Sequence, residues 1–513
     1  MKKISIILAL GASLLFVEKV KAQTVTTPGT GVNWNLDSLV THFPTDIQLV
    51  NNEYLINSKV VFASSDTFKQ TSNALVKFGA AGTFEFNQSV VDIDIDSQMV
   101  WMAADTSLSF PRIKFDQAVS ANVNNLTISY SNGLSVINCD ANFNGLSMLQ
   151  TRHKSPNPSG ALSALNGNIS VNHSVFIESQ RSAITLGANS GSSVYVDSSW
   201  FEHNSTLNGN YPQINIGTAN SNGATIKNST IIGKYTKSGG IGFLNVTNAN
   251  YNVLVENNYF YQNRYGIALN GRGLNALILN NIIDSNNIEG LPMSGGSGIN
   301  IYGDSSINVI AAQNEISRNL WGVTIQKSGS NRSPIVSFGK VNPTNPIDTG
   351  GNYFWGNTND STLFALYNNT ADTVYAQRNR WDFEHVDSIE STIFHHPDDS
   401  TLGWVLFDSF YVTPTTPPVD TNTGIVNVMP KGNFAVMFPN PTTVNHQGLN
   451  ILSSEPLTDI VVIDLQGKEI FRRKLNKEKE ITIPVASFKS GLYWIWLSDG
   501  KQQQFLRWSV IKE

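Results

Sequence analysis

The sequence predicts an all-β protein in which a long solenoid precedes a small C-terminal β domain. Only 14% of its 513 residues are charged, whereas 39 are Gly, and much of the polarity comes from Asn, Ser and Thr. Helical bundles depend on Ala, Glu, Lys and Leu, so this composition favours short strands and many turns. The formal net charge of −5 gives no indication of a nucleic-acid partner.

A nine-residue pattern that recurs along the chain is the strongest sign of a solenoid. The segment VDSSWFEHN begins at Val196, and VENNYFYQN begins at Val255 with a similar order of apolar, acidic, small polar and aromatic residues. Related segments begin at Val171, Ile226, Ile278, Ala311 and Ala376. Successive segments up to residue 311 start 23 to 33 residues apart. This variation fits stacked coils with loops of different lengths better than a propeller with blades of fixed size.

Each coil also contains a second short apolar alternation, as in YGIAL (265–269), SGINI (297–301) and WGVTI (321–325). Successive side chains of a strand point to opposite faces, so about half of them should face the interior. Phe176, Phe201 and Phe260 share one position of the repeat and are predicted to lie in the core. Trp200 and Tyr259 precede that position by one residue and are therefore predicted to face outward.

Asn and Ser occupy one turn position of the repeat in coil after coil. At equivalent turns of stacked coils, a carboxamide can donate to the coil on one side and accept from the coil on the other. Asn also tolerates the left-handed backbone of sharp turns. The predicted ladder runs through Ser174, Ser199, Ser229, Asn258, Asn281, Asn314 and Asn379.

The repeats, the Asn-rich turns and closing segments such as GGNYFWGNTND (350–360) and VYAQRNRWD (374–382) resemble secreted proteins with the right-handed parallel β-helix of the pectin-lyase-like fold. The resemblance implies a β-helix passenger at residues 45–412, preceded by an N-terminal segment or cap at residues 23–44. A short helix is expected within residues 35–46, and residues 389–410 are expected to cap the other end. Caps are needed because an uncovered terminal coil exposes a strand edge.

The N-terminus has the features of a secretory signal peptide. Lys2 and Lys3 precede an apolar run over residues 4–16, and a small residue, Ala22, stands before Gln23. Cleavage is predicted between Ala22 and Gln23, which makes residues 1–22 the signal peptide. The run is shorter than the roughly 20 apolar residues that span a bilayer, so no transmembrane segment is predicted.

The composition changes again after residue 412. A Pro- and Thr-rich stretch at residues 413–430 is predicted to be an extended linker. Residues 23–430 contain 19 Lys and Arg against 30 Asp and Glu, a net charge of −11, whereas residues 431–513 contain 11 against 8, a net charge of +3. The last 83 residues are therefore predicted to be a separate domain, a small β-sandwich.

Three short motifs in this last domain strongly resemble the type A C-terminal sorting domain of the type IX secretion system. They are Phe438-Pro439-Asn440-Pro441, Asp464-Leu465-Gln466-Gly467 and Ser490-Gly491-Leu492-Tyr493. The resemblance implies a Gram-negative source, the type IX machinery as a partner, and a passenger that is secreted or attached to the outer-membrane surface. It also implies that the domain is usually removed after export.

Enzymatic chemistry receives little support from the sequence. Glycoside hydrolysis needs two facing carboxylates, and no complete constellation of this kind is recognised. Asp92, Asp94 and Asp96 share one face of a strand and are a weak candidate for binding Ca²⁺; a solvated strand face is the preferred interpretation, and no cofactor is expected. Cys139 is the only cysteine and is predicted to be a small buried residue.

Binding to a glycan is the preferred functional hypothesis, because aromatic side chains on an outer face can stack on sugar rings. The candidates are Trp200, Tyr259, Tyr265 and Trp321. We therefore expect a monomeric surface protein that recognises or adheres to a surface or extracellular polysaccharide. The alternatives are a polysaccharide lyase or glycoside hydrolase that acts on an acidic polysaccharide, and a structural spacer without a small-molecule site.

Overall fold

The computed structural model describes residues 23–154, 160–247, 249–329 and 332–411, and in the C-terminal region residues 435–438, 442–443, 448–464, 469–489, 491–500 and 503–511. The predicted signal peptide and linker lie outside these residues. The chain forms two compact units, which divide between Thr413 and Pro414.

The first unit is a parallel β-helix with three ladders of strands, which we name A, B and C in the order in which each coil visits them. Ladder A consists of Thr24–Thr26, Lys59–Phe62, Thr83–Asn87, Ile113–Asp116, Leu134–Ile137, Leu162–Leu165, Ile184–Leu186, Ile214–Ile216, Ile241–Asn245, Ile267–Gly271, Ser297–Gly303, Trp321–Lys327, Leu366–Asn369 and Ile393–Phe394.

Ladders B and C share two long strands, Val90–Ala103 and Ser120–Ser129, each of which runs from one ladder into the other. The other strands of ladder B are Asn33–Trp34, Thr67–Gln70, Ala141–Asn144, Asn168–Asn172, Ser192–Asp197, Ala219–Lys227, Tyr251–Glu256, Leu274–Leu279, Asn308–Ala312, Ile335–Ser337, Val374–Tyr375 and Val405–Leu406. The other strands of ladder C are Ile47–Val50, Glu53–Ile56, Leu75–Phe78, Ser147–Leu149, Val175–Ile177, Trp200–Glu202, Thr230–Ile232, Tyr259–Tyr261, Ile282–Asp284, Glu315–Ser317 and Tyr353–Trp355.

Equivalent residues of the repeat lie on top of one another. In ladder B, Val196 pairs with Ile226, and Ile226 pairs with Val255. In ladder C, Phe201 and Phe260 flank Ile231 in the same way. All of these side chains are fully buried. The prediction that the repeats form stacked coils is therefore confirmed.

The predicted carboxamide ladder is present in the turn between ladders B and C. The side-chain oxygen of Asn281 accepts from the backbone N–H and the Nδ2 of Asn258, both at 3.0 Å. Asn281 in turn donates to the side-chain oxygen of Asn314 at 2.9 Å. The ladder continues to Asn379 through Asn352, which was not among its predicted members. Each buried amide is therefore satisfied without a charge.

A second ladder of the same kind lies in the turn between ladders C and A. Asn263, Asn286, Asn319 and Asn357 are all buried, and each passes a hydrogen bond to the next at 2.9–3.2 Å. These residues follow the C strands, where the nine-residue segments end in Asn. No role was predicted for them from the sequence.

The first coil starts earlier than predicted. Thr24–Thr26 pairs with residues 59–61 in parallel, so ladder A includes residues that were predicted to form an N-terminal segment or cap. The short helix that was expected within residues 35–46 is present at Leu36–His42 and is capped by Asn35, whose side chain accepts from the backbone N–H of Ser38. Leu36 and Leu39 of this helix are buried in the core.

The interior of the helix changes in character along its length. The first coils contain packed aromatic rings; Phe62 stacks on Phe86 at 4.5 Å and Phe78 on Phe110 at 4.4 Å between ring centroids. The central coils contain mainly Val, Ile and Leu. Cys139 is buried as predicted, but it lies in the bend after Leu134–Ile137. Burial raises the pKa of its thiol.

The C-terminal end of the β-helix carries a short helix, Val386–Glu390, and a small hairpin formed by Thr358–Asn359 and Thr362–Leu363. His395 is buried in this region. Its Nδ1 accepts from the backbone N–H of Val405 at 2.8 Å, so its Nε2 carries the proton that is donated to Glu390. This arrangement gives His395 a structural role.

The second unit is a six-stranded sheet with its own core. Its strands are Ala435–Phe438, Thr442–Thr443, Leu449–Asp464, Glu469–Ile483, Gly491–Ser498 and Gln503–Ile511, and Val485–Ser487 forms one 3₁₀ turn. All pairings are antiparallel except that of residues 442–443 with residues 510–511. Ile460, Ile495 and Trp508 are fully buried in its core.

Candidate functional site

A cleft on the outer face of ladder A is a candidate site. It encloses about 440 Å³. Its floor comes from the strands Ile267–Gly271, Ser297–Gly303, Trp321–Lys327 and Leu366–Asn369. Ile299, Ile301, Val323 and Ile325 of these strands are buried in the core. The alternate residues therefore point into the cleft: Asn270, Asn300, Tyr302, Thr324, Gln326, Tyr367 and Asn369.

Aromatic rings form one side of the cleft. The ring of Trp321 lies 4.5 Å from that of Phe364 and 5.4 Å from that of Tyr367, measured between centroids. Its indole N–H donates to the backbone carbonyl of Pro292 at 3.1 Å, which joins the ring to the loop that covers the cleft. Trp321 is therefore held in place on both of its edges.

The floor is joined by short hydrogen bonds between neighbouring coils. The hydroxyls of Ser297 and Thr324 lie 3.0 Å apart, and Thr324 donates to the side-chain oxygen of Asn300 at 2.9 Å. These contacts fix the orientation of the polar groups before any ligand arrives, and such preorganisation lowers the entropic cost of binding.

The cleft carries almost no net charge. Among the described residues that line it, Arg264 is the only charged one. Its Nε lies 3.3 Å from the carboxylate of Glu289, and its terminal nitrogens donate to the carbonyl of Ser294 at 2.5 Å and to the side chain of Asn210. Its charge is therefore balanced by protein groups.

Tyr265 lies beside Arg264 at the edge of the cleft. Its ring covers Gly239, where an added Cβ would come within 2.2 Å of the ring carbon that bears the hydroxyl. Gly239 is thus required for the ring to lie there. Desolvation raises the pKa of the Tyr265 hydroxyl to about 12, so the group stays neutral near pH 7.

The structure brings together two of the four predicted aromatic residues. Tyr265 and Trp321 both line the cleft. Trp200 and Tyr259 lie instead on ladder C, where each is only 2% exposed, so the expectation that they face solvent is wrong. They do point away from the interior, but neighbouring side chains cover them: Trp200 donates to Glu202 at 2.8 Å, and Tyr259 lies 5.8 Å from the ring of Tyr261.

The same face of ladder C contains carboxylates beside an arginine. Arg318 donates to both oxygens of Asp284, at 2.8 and 2.5 Å, and its guanidinium lies over the ring of Trp355. Glu315 accepts from the Trp355 indole at 3.1 Å, and burial raises its pKa. Since Asp284 is only 3% exposed and both of its oxygens are engaged, this cluster is a set of structural contacts.

The calcium candidate lies on the outer face of Val90–Ala103. Asp92 pairs with Lys69 at 3.1 Å, and Asp94 accepts from Asn124 at 3.0 Å. Within the described part of the chain, no group of three or more His, Cys, Asp or Glu side chains is arranged to hold a metal ion. For Asp92, Asp94 and Asp96, the solvated strand face therefore stays a prediction, as does the weaker calcium candidate.

Most of the cleft was not found from the sequence. The apolar alternations at residues 297–301 and 321–325 include or adjoin four residues of the cleft, namely Asn300, Tyr302, Thr324 and Gln326. The alternation of side chains along a strand would have placed these four on the outer face. The loop over residues 289–296, which turns this face into a cleft, has no repeat partner to align with. Its position could not be derived from the pattern.

The sorting residues lie in the second unit. Phe438, Asp464, Gly491 and Tyr493 belong to its strands, whereas Pro439, Asn440, Pro441 and Gly467 lie outside the described residues. Asp464 pairs with Tyr493 in neighbouring antiparallel strands, so two of the three motifs meet in the sheet. A family model described as the secretion system C-terminal sorting domain matches residues 436–512. The tail is a type IX sorting domain.

The sorting domain directs the protein to the cell surface or the extracellular space and implies an interaction with the type IX machinery. No helix in the described residues is long and apolar enough to cross a membrane. At the N-terminus, Gln23 is described, and its carbonyl accepts from the backbone N–H of Lys59 at 3.0 Å. Ala22 lies outside the described residues, so the cleavage site stays a prediction.

Two solved structures resemble the chain distantly. One is a double mutant of the periplasmic alginate epimerase AlgG, with 12% identity and a TM-score of 0.33 over 74% of this chain and 84% of that one. The other is the receptor-binding protein of bacteriophage Det7, a podoviral tailspike, with 9% identity and a TM-score of 0.21 over 95% and 94%. No curated protein sequence matches. The β-helix assignment therefore rests on the strand pairing of this chain.

Proposed function

We propose that the exported passenger binds a glycan in the cleft on ladder A. The observation that carries the proposal is the chemistry of the lining: aromatic rings at one side, amides and hydroxyls across the floor, and no unbalanced charge. Sugar rings have apolar faces that stack on aromatic side chains and hydroxyl edges that bond to amides.

The geometry of the floor suits an extended chain. Neighbouring strands of a parallel ladder lie about 4.8 Å apart, so successive coils present polar side chains at a regular interval along the helix axis. Asn300 and Thr324 form one such row, and Tyr302 and Gln326 form the next. A polymer with a repeating unit would meet similar groups at each step.

The balanced charge of Arg264 favours a neutral glycan. An acidic polysaccharide would need unbalanced cations in the cleft to replace the water that its carboxylates lose on binding. Among the described residues that line the cleft, there is no Asp, Glu, His or Lys to serve as the acid and base of a hydrolase or lyase. Surface recognition or adhesion is thus better supported than catalysis.

The proposal is tested with purified residues 23–412 and a panel of oligosaccharides: cellohexaose, xylohexaose and mannohexaose as neutral probes, and hexagalacturonate as an acidic probe. Isothermal titration calorimetry measures binding, and chromatography of the mixtures detects cleavage. We expect saturable binding of at least one neutral probe and no cleavage.

The variant Trp321→Ala should weaken that binding by roughly tenfold or more, because a stacked aromatic ring is lost. Trp404→Ala is the matched control, since Trp404 is 48% exposed and lies at the C-terminal end of the β-helix, outside the cleft. Cleavage of any probe would favour an enzyme, and absence of both signals would favour a structural spacer.

A further inference from the structure

A second cavity lies on the turn between ladders B and C, near the C-terminal end of the β-helix. It has a volume of about 430 Å³, and Arg378 and Arg380 both line it, together with Tyr411 and Gln313. It belongs to neither the cleft on ladder A nor the carboxamide ladders. Two arginines in one cavity are unexpected in a region, residues 23–430, whose net charge is −11.

The cavity exists because one coil lacks a side chain at this turn. The residue before each ladder amide adopts a left-handed backbone: φ is 59° at Gln313, 77° at Gly351 and 60° at Arg378. Gly351 lies between the other two, and an added Cβ there would lie 3.3 Å from the side chain of Gln313. A side chain at Gly351 would therefore occupy the space between Gln313 and Arg378.

The backbone conformation of Arg378 is energetically unfavourable, and its side chain is oriented by a hydrogen bond. The left-handed region disfavours a residue with a Cβ by roughly 1 kcal/mol, and other coils place Asn, Gln, Ser or His at this position. The Nε of Arg378 donates to the hydroxyl of Tyr411 at 3.1 Å. Among the described residues, its two terminal nitrogens form no hydrogen bond.

Arg380 adds a second positive charge at the same cavity. It is exposed, and it forms no ion pair within the described part of the chain. Asp408, in a later segment of the chain, accepts from Gln377 at 2.7 Å, and one oxygen of Asp382, two residues after Arg380, accepts from the backbone N–H of Gly356 at 2.8 Å. The cavity therefore presents cationic donors that the described protein groups do not neutralise.

We propose that this cavity binds an oxyanion, namely the carboxylate, sulfate or phosphate group of a free ion or of an anionic glycan. A guanidinium presents two parallel N–H donors that match the oxygens of such groups, and ion-paired hydrogen bonds of this kind are the strong ones. The proposal does not depend on glycan binding in the cleft on ladder A.

The test uses calorimetric titration of residues 23–513 with sodium sulfate, sodium phosphate and hexagalacturonate, at constant ionic strength maintained with sodium chloride. We expect saturable binding at one site for at least one probe. Tighter binding of hexagalacturonate than of either free ion would identify a polymer-borne group, and equal or weaker binding would identify a free ion. Failure of all three probes to bind would overturn the proposal.

Arg380→Gln is the first variant, because Arg380 is exposed and we expect its replacement to leave the fold intact. Affinity should fall at least about tenfold when a charged hydrogen-bonding partner is lost. Arg378→Lys keeps the positive charge but loses the parallel N–H donors of the guanidinium, so it should also weaken binding. Lys237→Gln, which removes an exposed cation elsewhere, is the control and should leave affinity unchanged. Equal affinity of wild type and Arg380→Gln would contradict the proposal.

Discussion

Single carboxamides determine how one coil of this protein joins the next. In the turn between ladders B and C, Asn281 accepts two hydrogen bonds from Asn258 and donates to Asn314 and to the carbonyl of Val255. Each of these groups is buried, so each would be costly without a partner. A neutral carboxamide accepts from the coil on one side and donates to the coil on the other, which neither Asp nor Ala can do.

Replacing Asn281 by Ala should therefore lower the free energy of unfolding by about 3 kcal/mol, because the backbone N–H of Asn258 and the carbonyl of Val255 would each lose a partner at about 1–3 kcal/mol. Urea unfolding of the passenger, followed by circular dichroism, measures the change. Asn222→Ala is the control, since Asn222 is exposed, and should shift the midpoint little. Equal midpoints for the two variants would contradict this role of the ladder.

Gln213 shows what residue-by-residue alignment misses. The coil with the segment IKNSTIIGK, which begins at Ile226, has no Asn at the second ladder position. Gln213, which precedes a strand of ladder A, fills the gap: its oxygen accepts from Asn204 at 3.0 Å and its nitrogen donates to Asn263 at 3.0 Å. Since it comes from another part of the coil, no repeat position identifies it.

At the scale of strands, the period of two was sufficient to predict which residues face inward. Phe201 and Phe260 lie in the core as predicted, and the alternation also separates the floor of the cleft from the interior. It did not predict which outward residues are exposed. Trp200 and Tyr259 point outward yet are covered, because Glu202 and Tyr261, two residues further along the same strands, lie against them.

The cleft on ladder A leads to a prediction about pH. Among the described residues that line it, none is Asp, Glu, His, Lys or Cys, and burial raises the pKa of Tyr265 to about 12. The raised value means that the neutral hydroxyl persists until the pH approaches 12. The affinity for a neutral glycan should therefore vary less than about twofold between pH 5 and pH 9.

Calorimetric titrations at several pH values in this range would measure that dependence. A bell-shaped profile of binding or of product formation would instead indicate an acid and a base in the site. Such a profile would favour the enzyme alternative over recognition.

For the whole molecule, the two units should be independent in stability. The core of the β-helix and the core of the sorting domain are separate clusters, with no residue in common. Residues 23–412 alone and residues 23–513 should therefore have the same unfolding midpoint for the β-helix, within about 2 °C. Differential scanning calorimetry tests this, and a passenger that fails to fold without residues 413–513 would contradict it.

The architecture of the β-helix was predictable because each coil of a solenoid repeats the same pattern of strands and turns. Seven starting positions of the repeat sufficed to indicate stacked coils, and the sorting motifs lie in a segment of different composition. The first coil was harder to recognise because the helix Leu36–His42 and the antiparallel pair Ile47–Val50 and Glu53–Ile56 interrupt the repeat. Loops such as residues 289–296 follow no repeat and depend on contacts that only the folded chain provides.

The central claim is that neighbouring coils stack in the stated register, and disulfide cross-linking tests it most directly. Asn252 and Asn275 are exposed Cα partners in neighbouring coils of ladder B, and the natural Cys139 is buried. In a Cys139→Ala background, oxidation of Asn252→Cys with Asn275→Cys should form an intramolecular disulfide. Asn252→Cys with Leu277→Cys should not, because a shift of two residues separates the Cα atoms by about 8 Å, beyond the usual range of a disulfide. Efficient cross-linking of the shifted pair, with none in the first, would contradict the register.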